Sequence, residues 1–306
     1  MTAPEKQAAA TVREALYEAA SRLRRGGIEN AGDDARRLLC HVLGLSSAEL
    51  IGAQRRPLCA AAAERFARFI ERRLLREPTS RILGARDFYG RSFALSAATL
   101  DPRPDSETLV TAALDLAREE GWLHAPLRIL DVGTGSGCLL ITLLLELPHA
   151  SGVGSDISTA ALNTARGNAE LLNVADRSQF IAADALDGIA GRFDIMVCNP
   201  PYISSAEIAR LAPEVRSYDP HQSLDGGSDG LSFFRRLAAG MERLVPDGWI
   251  ILEVGHDQAD AVAALVAARG RQAPLREFRD VAGRRRSVAT RTRILRGELP
   301  ISTETP

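Results

Sequence analysis

A short strand-like run that leads into a glycine-rich turn constrains the fold of this 306-residue chain more than any other feature. Residues 128–132 read Arg-Ile-Leu-Asp-Val, residues 133–137 read Gly-Thr-Gly-Ser-Gly, and an apolar, helix-like stretch runs on to about 147. Glycines between a strand and a helix let the backbone approach a ligand closely, at a helix end whose N–H groups are unpaired. This glycine turn (residues 133–137) therefore predicts an α/β domain that binds a small molecule.

The chain beyond the glycine turn alternates between strand-like and helix-like segments. Helical spacing recurs near 158–172, 231–244 and 257–269, with strand candidates in between. Such alternation is typical of a doubly wound α/β fold, so we expect a seven-stranded, mostly parallel sheet with helices on both faces. The last two strand candidates follow each other without a helix, which predicts an antiparallel pair at an edge. The strand candidates are residues 127–132, 152–156, 179–182, 193–199, 249–253, 275–280 and 287–295.

The first 80 residues have a different pattern. They are rich in Ala, Leu and Arg, and apolar residues recur at helical spacing within 8–25, about 33–44 and 59–77. This predicts a small helical domain. The predicted organisation is a helical domain over 1–80, a hairpin linker over 81–100, an α/β domain over 101–296 and a tail over 297–306.

Composition is ordinary for a globular protein. Hydrophobic residues make up 45% and charged residues 25%, and the chain shows neither a secretory pattern at its start nor an apolar run near the roughly 20 residues that cross a bilayer. We therefore expect a cytoplasmic protein. The four cysteines form no CxxC pair and the five histidines have no ligand spacing, so we expect no metal. The basic excess in residues 1–80 fits either an acidic partner or a solvated helix face.

The spacing of the glycine turn favours one class of ligand. A dinucleotide fingerprint would need glycine at Cys138, and the GxGxG spacing suits the amino-acid end of S-adenosylmethionine better than a pyrophosphate. Asp156 ends the second predicted strand, where a carboxylate can accept both hydrogen bonds of a ribose diol. Asp184, after the third strand, fits either contact with adenine or the N-cap of a helix. The predicted cofactor residues are Gly133, Thr134, Gly135, Ser136, Gly137, Asp156, Asp184, Ala185 and Asn199.

Residues 199–202, Asn-Pro-Pro-Tyr, follow the fourth predicted strand and form what we call the acceptor corner. Proline removes backbone donors and fixes φ, so nearby carbonyls are held in place without a strand partner. With the Asn199 carboxamide, such a corner can accept two N–H bonds from a planar –NH2 group, while Tyr202 lies along the plane. The corner belongs to the same sheet edge as the glycine turn. The sequence therefore predicts a site where a planar amine meets a methyl donor.

The combination of glycine turn and acceptor corner resembles the amino-methyltransferases that modify nitrogen in adenine, cytosine or glutamine side chains. Further segments resemble one member, the peptide chain release factor glutamine methyltransferase family. Residues 103–107, Arg-Pro-Asp-Ser-Glu, resemble its RPxTE segment, with Ser106 for the usual threonine. The other resembling segments are Glu77-Pro78, Ile82–Gly84, Phe88–Gly90, Pro213–Val215, Asp219-Pro220, Leu224–Gly227, Asp229–Leu231, Glu253–Gly255 and Asp280–Gly283.

The resemblance implies a class I S-adenosylmethionine-dependent methyltransferase fold and a specific reaction. In that reaction a methyl group passes from S-adenosylmethionine to the side-chain amide nitrogen of the glutamine in the GGQ motif of class I release factors, leaving S-adenosylhomocysteine. The helical domain would dock the release factor, and we expect a monomer with no membrane association and no direct nucleic-acid binding. The implied catalytic residues are Asn199, Pro200 and Tyr202, and the implied substrate-binding residues are these three with Pro201, Arg103 and Glu107.

Some residue roles stay open at this stage. Arg103 and Glu107, four residues apart, fit either the border of the substrate pocket or an ion pair at the start of a helix over 105–119. Ala185 stands where an aromatic side chain could pack against adenine, so that contact must come from elsewhere, with Leu186 as the candidate. Helical spacing favours core positions for Leu231, Phe233 and Phe234 over positions in the pocket.

Three other functions compete with glutamine methylation of a release factor. Adenine-N6 methylation of nucleic acid is disfavoured for two reasons. The part of the chain beyond residue 80 has 24 basic and 29 acidic side chains, so it is net acidic, and aromatic residues make up only 5% of the whole chain. Methylation of a ribosomal-protein glutamine is disfavoured by the RPxTE-like segment. A non-catalytic cofactor-binding role is disfavoured by the intact glycine turn and acceptor corner.

Overall fold

The computed structural model describes residues 10–267, 275–280 and 282–292. The chain divides into two compact units: residues 1–85 with 212–218 form the helical unit, and residues 86–211 with 219–306 form the α/β unit. The predicted hairpin linker therefore lies in the α/β unit from Arg86 onward. The predicted tail lies outside the described residues, as do the outer ends of the predicted segments 8–25, 257–269 and 287–295.

The helical unit is built from short amphipathic helices around one apolar core. Two of them begin at capping boxes, in which Thr11 and Ser46 each exchange hydrogen bonds with a glutamate three residues further on. Leu23, Leu38 and Phe66 are buried in the shared core. The sequence pattern missed two short helices, Ser47–Ala53 and Thr79–Leu83, because helical spacing needs more than two turns to show. The helices are α1 (Val12–Arg25), α2 (Ala31–Leu43), α3 (Ser47–Ala53), α4 (Ala60–Leu74) and α5 (Thr79–Leu83).

A buried ion-pair cluster holds the segment 212–218 within this unit. Arg73 Nε donates to Asp34 Oδ2 at 2.7 Å, and Arg73 Nη2 donates to Glu214 Oε1 at 3.1 Å. Arg76 donates to the other oxygen of Glu214 at 2.9 Å, and Thr79 donates to Asp34 Oδ1 at 2.8 Å. The Arg73 side chain is only 9% exposed. Loss of one partner would leave a buried charge uncompensated, which costs about 3–5 kcal/mol.

The α/β unit contains the predicted seven-stranded, mostly parallel sheet. Its strands are β3 (Arg128–Val132), β4 (Ser151–Asp156), β5 (Ser178–Ala182), β6 (Ile195–Cys198), β7 (Gly248–Glu253), β8 (Arg276–Arg279) and β9 (Arg285–Thr292), whereas β1 (Ala85–Phe88) and β2 (Arg91–Ala94) form a separate hairpin. The strand order is β5-β4-β3-β6-β7-β9-β8, with β9 antiparallel to both of its neighbours. The predicted antiparallel edge pair is therefore present, with β8 at the edge of the sheet and β9 between β7 and β8.

Strand order places the ligand crevice between β3 and β6. The chain runs outward from β3 through β4 to β5, then returns to pair β6 with the other side of β3. Helices that follow the two strands diverge there, which opens a crevice at their carboxyl ends. All residues of β6 and β7 are buried, in agreement with their continuous apolar runs. The glycine turn follows β3 and the acceptor corner follows β6, so both lie at this crevice.

The helices predicted near 137–147, 158–172, 231–244 and 257–269 are present within the described residues, whereas the short helices Ser205–Ile208 and Pro213–Tyr218 were not predicted. The helix predicted over 105–119 instead begins at Glu107, after a tight 3₁₀ turn at Pro104–Ser106. Of the cysteines, Cys138 and Cys198 are buried, whereas Cys59 is exposed. The remaining helices are α6 (Glu107–Glu119), α7 (Cys138–Glu146), α8 (Thr159–Leu171), α9 (Ser205–Ile208), α10 (Pro213–Tyr218), α11 (Ser232–Leu244) and α12 (Ala259–Ala267).

Candidate active site

A cavity of about 360 Å³ opens at the carboxyl ends of the strands. The structure brings residues of the glycine turn and of the acceptor corner into its wall, although the two motifs are more than 60 residues apart in sequence. The other predicted site residues are not part of the wall. The predicted residues that line the cavity are Gly133, Gly135, Asp156, Asp184, Ala185, Asn199, Pro200 and Pro201, and those that do not are Thr134, Ser136, Gly137, Tyr202, Arg103 and Glu107.

The three glycines of the turn serve two purposes. All of them have positive φ, at 72° for Gly133, 55° for Gly135 and 81° for Gly137. A Cβ atom at Gly133 or Gly135 would meet no close neighbour and would occupy ligand space, whereas one at Gly137 would lie 2.8 Å from Ile141 and 3.1 Å from Ala165. The first two glycines therefore leave room for a ligand, and the third allows α7 to pack against α8.

Thr134, one of the two polar residues of the turn, is bound inward to Asp131. Thr134 Oγ1 donates to Asp131 Oδ2 at 2.7 Å, and the backbone N–H of Leu140 reaches the same oxygen at 3.3 Å. Asp131 is fully buried, and its Oδ1 has no hydrogen-bond partner within the described ranges. Burial raises the pKa of Asp131 to about 7, against the opposing hydrogen bonds from Thr134 and Leu140. Thr134 thus supports the turn from beneath and does not line the cavity. Its partner Asp131 is a buried residue of β3 to which the sequence pattern assigned no role.

Asp156 lies where the sequence predicts a ribose acceptor. Its two carboxylate oxygens accept the backbone N–H groups of Gly135, at 2.9 Å, and Ser158, at 2.8 Å. A carboxylate oxygen has two lone pairs, so each oxygen keeps one site for a ligand hydroxyl. The hydrogen bond from Gly135 ties the end of β4 to the glycine turn. Asp156 therefore both shapes the cavity and faces it.

The apolar part of the wall comes from residues that the sequence did not identify. Leu186, the candidate for contact with adenine, is 5% exposed and lies in the core, so that prediction is wrong. Phe234 occupies its expected core position. Phe233 packs against the same core, as expected, but it is only partly buried and also lines the cavity. Ile157, directly after Asp156, also lines the cavity and is 48% exposed. The exposure of this large apolar side chain is what marks it as part of a binding site, and exposure is visible only in the structure.

Asp184 and Ala185 follow β5 at the cavity rim. Asp184 forms an ion pair of 2.9 Å with Arg236, and both side chains are about half exposed. Ala185 has a φ of 53°, a left-handed conformation that is uncommon for a residue with a Cβ atom. Its small side chain leaves the adjacent wall open to Phe233.

Asn199 at the acceptor corner is held by a serine from the other end of the unit. Its Nδ2 donates to Ser106 Oγ at 2.9 Å, and Ser106 lies in the 3₁₀ turn before α6. Because Nδ2 is used in this bond, Oδ1 remains as the acceptor that Asn199 offers to the cavity. Pro200 is buried and has no N–H, so its backbone position is fixed without a strand partner.

Tyr202 stands behind the corner and contacts a buried glutamate. Its hydroxyl donates to Glu253 Oε1 at 3.3 Å, and Gln258 Nε2 donates to its backbone carbonyl at 2.9 Å. Glu253, the last residue of β7, is 1% exposed, and its Oε2 has no partner of full hydrogen-bond geometry in the described part of the chain. Burial raises the pKa of Glu253 to about 7, while interactions with Ser106, Tyr202 and Arg286 oppose the rise. Sequence resemblance included Glu253 but gave it no role.

Arg103 and Glu107 have structural partners in the α/β unit. Arg103 forms an ion pair with Asp219, which is 7% exposed and also accepts the backbone N–H of Asp101 at 3.2 Å. Glu107 accepts the backbone N–H of Tyr89 at 2.8 Å, in a hairpin turn where Tyr89 has a φ of 49°. No ion pair joins Arg103 to Glu107 among the described residues. The two side chains fix the segments on either side of Ser106.

Within the described ranges, no helix is long and apolar enough to cross a membrane. The same residues contain no group of three or more His, Cys, Asp or Glu side chains that could hold a metal ion.

Comparison with known proteins agrees with this geometry. Residues 14–84 match the family model "PrmC N-terminal domain", and residues 112–214 match "Methyltransferase small domain". A solved catalytic domain of hMettl16, in complex with MAT2A 3'UTR hairpin 6, has a TM-score of 0.55 at 17% identity and covers 70% of this chain and 81% of that one. The fold, with its glycine turn and crevice, is that of a class I S-adenosylmethionine-dependent methyltransferase.

Relatives at higher identity narrow the class to one family. The release factor glutamine methyltransferase of Bradyrhizobium diazoefficiens is 48% identical over 89% of this chain and 92% of its own length. The protein of the same name from Rhodospirillum rubrum is 44% identical over 93% of this chain and 86% of its own length. The chain belongs to the release factor glutamine methyltransferase family, which confirms the resemblance drawn from its sequence.

Proposed function

We propose that this protein transfers a methyl group from S-adenosylmethionine to the side-chain amide nitrogen of the glutamine in the GGQ motif of class I release factors. The observation that carries the proposal is that Asn199 and Pro200 line the same cavity as Gly133, Gly135 and Asp156. A carboxamide-holding corner and a cofactor cradle thus share one enclosed space. The proposal includes a cytoplasmic, monomeric enzyme that recognises protein and not nucleic acid.

The cavity wall fits S-adenosylmethionine. Its volume of about 360 Å³ lies within the range of about 300–1,000 Å³ typical of small-molecule sites. Asp156 would accept the ribose hydroxyls, Ile157 and Phe233 would flank the adenine ring, and the glycine turn would hold the amino-acid end through its backbone. When bound, S-adenosylmethionine supplies an electrophilic methyl group on a sulfonium.

The acceptor corner addresses the weak nucleophilicity of an amide nitrogen, whose lone pair is delocalised into the carbonyl. We propose that Asn199 Oδ1 and the Pro200 carbonyl each accept one N–H of the glutamine –NH2 group. Two fixed acceptors orient the nitrogen and stabilise the positive charge that develops on it. The apolar surfaces of Pro201 and Phe233 exclude water. The extra proton of a methylated amide is very acidic, so the site needs no strong general base.

We propose supporting roles for the predicted site residues that lie outside the cavity wall. Tyr202 would hold the corner from behind through its hydroxyl group. Arg103 and Glu107 would fix the backbone on both sides of Ser106, and so act on substrate binding indirectly. Thr134 and Ser136, both buried, would set the shape of the glycine turn.

Transfer of labelled methyl from S-adenosylmethionine to purified release factor tests the proposal. We expect label on the intact factor and none on a factor whose GGQ glutamine is replaced by glutamate, since a carboxylate offers no nitrogen. DNA, RNA and ribosomal proteins serve as competing acceptors in the same assay. Equal label on the glutamate variant, or preferential label on a nucleic acid, would refute the proposed acceptor.

A further inference from the structure

Behind the acceptor corner lies a line of polar side chains that the transfer chemistry itself does not use. Asn199 donates to Ser106 at 2.9 Å, and Tyr202 donates to Glu253 at 3.3 Å. Ser106 and Glu253 form no hydrogen bond of full geometry among the described residues, but Ser106 acts to lower the pKa of the Glu253 carboxyl, so its hydroxyl lies near the unpartnered Oε2. Glu253 makes the contact with Tyr202 through Oε1, whereas its Oε2 is buried without a partner of full hydrogen-bond geometry among the described residues. Burial of a carboxyl oxygen without a hydrogen-bond partner costs folding free energy, so its presence here calls for an explanation.

The direction of these hydrogen bonds follows from the chemistry of each group. A serine hydroxyl has one proton, and a carboxylate can only accept. If Ser106 directs its proton to Glu253, it can only accept from Asn199, so the carboxamide must turn Nδ2 toward Ser106. Oδ1 then faces the cavity. With the opposite direction, Ser106 would donate to Oδ1, and Asn199 would present a donor to the donor groups of the incoming amide.

We infer that Glu253, held by Tyr202, is a positioning residue that fixes the direction of hydrogen bonding at Ser106, so that Asn199 offers its oxygen to the acceptor amide. The inference rests on the proposed function, because an –NH2 acceptor is what requires an oxygen at that position. It also explains a serine or threonine at position 106: either hydroxyl can accept from Asn199 and donate to Glu253. Neither alanine nor valine can.

The surroundings of Glu253 leave its charge adjustable. Burial raises its pKa to about 7, and Asp105 acts in the same direction, whereas the interactions with Ser106, Tyr202 and Arg286 lower it. Arg286 is itself paired, with Asp105 at 2.7 Å and with Asp280 at 3.0 Å, so its charge is partly neutralised. The buried thiols of Cys138 and Cys198 also lie within the field of the Glu253 carboxylate. The ionised form of Glu253 is the one that accepts from both hydroxyls, so the corner should be correctly oriented above pH 7 and less so below.

The kinetic test compares variants of this line with matched controls. We expect Glu253→Gln and Ser106→Ala to lower kcat by about 10–100-fold, the effect of a small misorientation at a reacting centre, with the KM for S-adenosylmethionine changed less than about three-fold. Ser106→Thr should retain kcat within about three-fold because the hydroxyl remains. Thr108→Val, which removes a hydroxyl bonded to Ser287 nearby, should have no comparable effect. Wild-type kcat in either Glu253→Gln or Ser106→Ala would overturn the inference.

A second measurement needs no release factor. We expect the side-chain ¹⁵N–H signals of Asn199, assigned by their loss in Asn199→Ala, to shift with pH around a midpoint near 7. Glu253→Gln should abolish that midpoint, and Asp131→Asn, which removes another buried carboxyl with a raised pKa, should preserve it. Signals that titrate identically in Glu253→Gln would refute the link. If wild-type enzyme fails to label the factor, the proposed function falls, and this titration still decides whether Glu253 orients Asn199.

Discussion

The two halves of the cavity are built in opposite ways. The cofactor half is centred on consecutive residues, the glycine turn, whose backbone forms the cradle and which the Asp156 side chain ties to the end of β4. The acceptor half consists of side chains from three distant places, namely Ser106, Asn199 with Tyr202, and Glu253. Each half has a fully buried carboxyl group behind it, Asp131 or Glu253, with one oxygen unpartnered in the described part of the chain. One half fixes a shape, and the other fixes a hydrogen-bond direction.

This difference implies that the two halves fail differently when altered. A backbone cradle loses ligand affinity, because its contacts are the same in the ground state and the transition state. A directional acceptor loses rate, because its contacts strengthen only as charge develops on the nitrogen. Variants in each half should therefore separate a loss of cofactor affinity from a loss of turnover rate.

The largest effect should come from the acceptor half. Asn199→Ala removes one of two acceptors for the amide, and we expect kcat to fall by about 10³-fold, as for loss of a preorganised transition-state contact. The Kd for S-adenosylmethionine, measured by calorimetry, should change less than about three-fold. A large loss of cofactor affinity with normal kcat would reverse the assignment of the two halves.

The cofactor half should show the converse pattern. Asp156→Ala removes two hydrogen bonds to a charged group, each contributing about 1.5–3 kcal/mol, so the Kd for S-adenosylmethionine should rise by at least about 10²-fold. At saturating cofactor, kcat should stay within several-fold of wild type. Asp184→Ala is the matched control: its exposed ion pair with Arg236 contributes little, and the Kd should change less than about five-fold. Equal effects of both variants would place Asp184 in direct contact with the cofactor.

The two buried carboxyl groups make stability depend on pH in the same direction. Burial raises the pKa of both Asp131 and Glu253 to about 7, so the folded state binds protons that the unfolded state releases. Their contribution is complete below the ordinary carboxyl pKa and is lost as pH rises through 7. We expect urea unfolding to show a loss of about 2–3 kcal/mol per group between pH 5 and 8. Glu253→Gln and Asp131→Asn should each remove their share, and additive losses would show that the halves are independent.

The smallest effect separates glycines within the cofactor half. Gly135→Ala places a Cβ in ligand space at positive φ, so it should lower the free energy of unfolding by only about 1 kcal/mol while weakening cofactor binding. Gly137→Ala adds a clash with Ile141 and Ala165, and should cost about 2–3 kcal/mol. Thermal unfolding with and without cofactor distinguishes them. Equal destabilisation by the two variants would show that α7 can shift to accommodate the added Cβ atom at position 137.

The same contrast explains what sequence could reveal. The fold, the glycine turn, Asp156 and the acceptor corner were predictable, because alternating patterns and consecutive residues encode them. The partner of Asn199 was not, because Ser106 lies 93 residues away and only the packing of α6 brings it close. Glu253 is 51 residues from Tyr202 and reads as the end of an ordinary buried strand. Ile157 and Phe233 were missed because an apolar residue in a cavity wall has the same local pattern as one in the core.

The position of residues 212–218 bears on how such a protein can change in evolution. A domain attached only at one end of a chain can be gained, lost or exchanged by a single recombination event. Here the helical unit includes a segment encoded well downstream, between the acceptor corner and Asp219, and Glu214 in that segment bonds Arg73 and Arg76. A swap of the first 85 residues alone would deprive Glu214 of both arginines. Lineages that acquire a new helical unit should therefore show matching changes at two separated places in the gene.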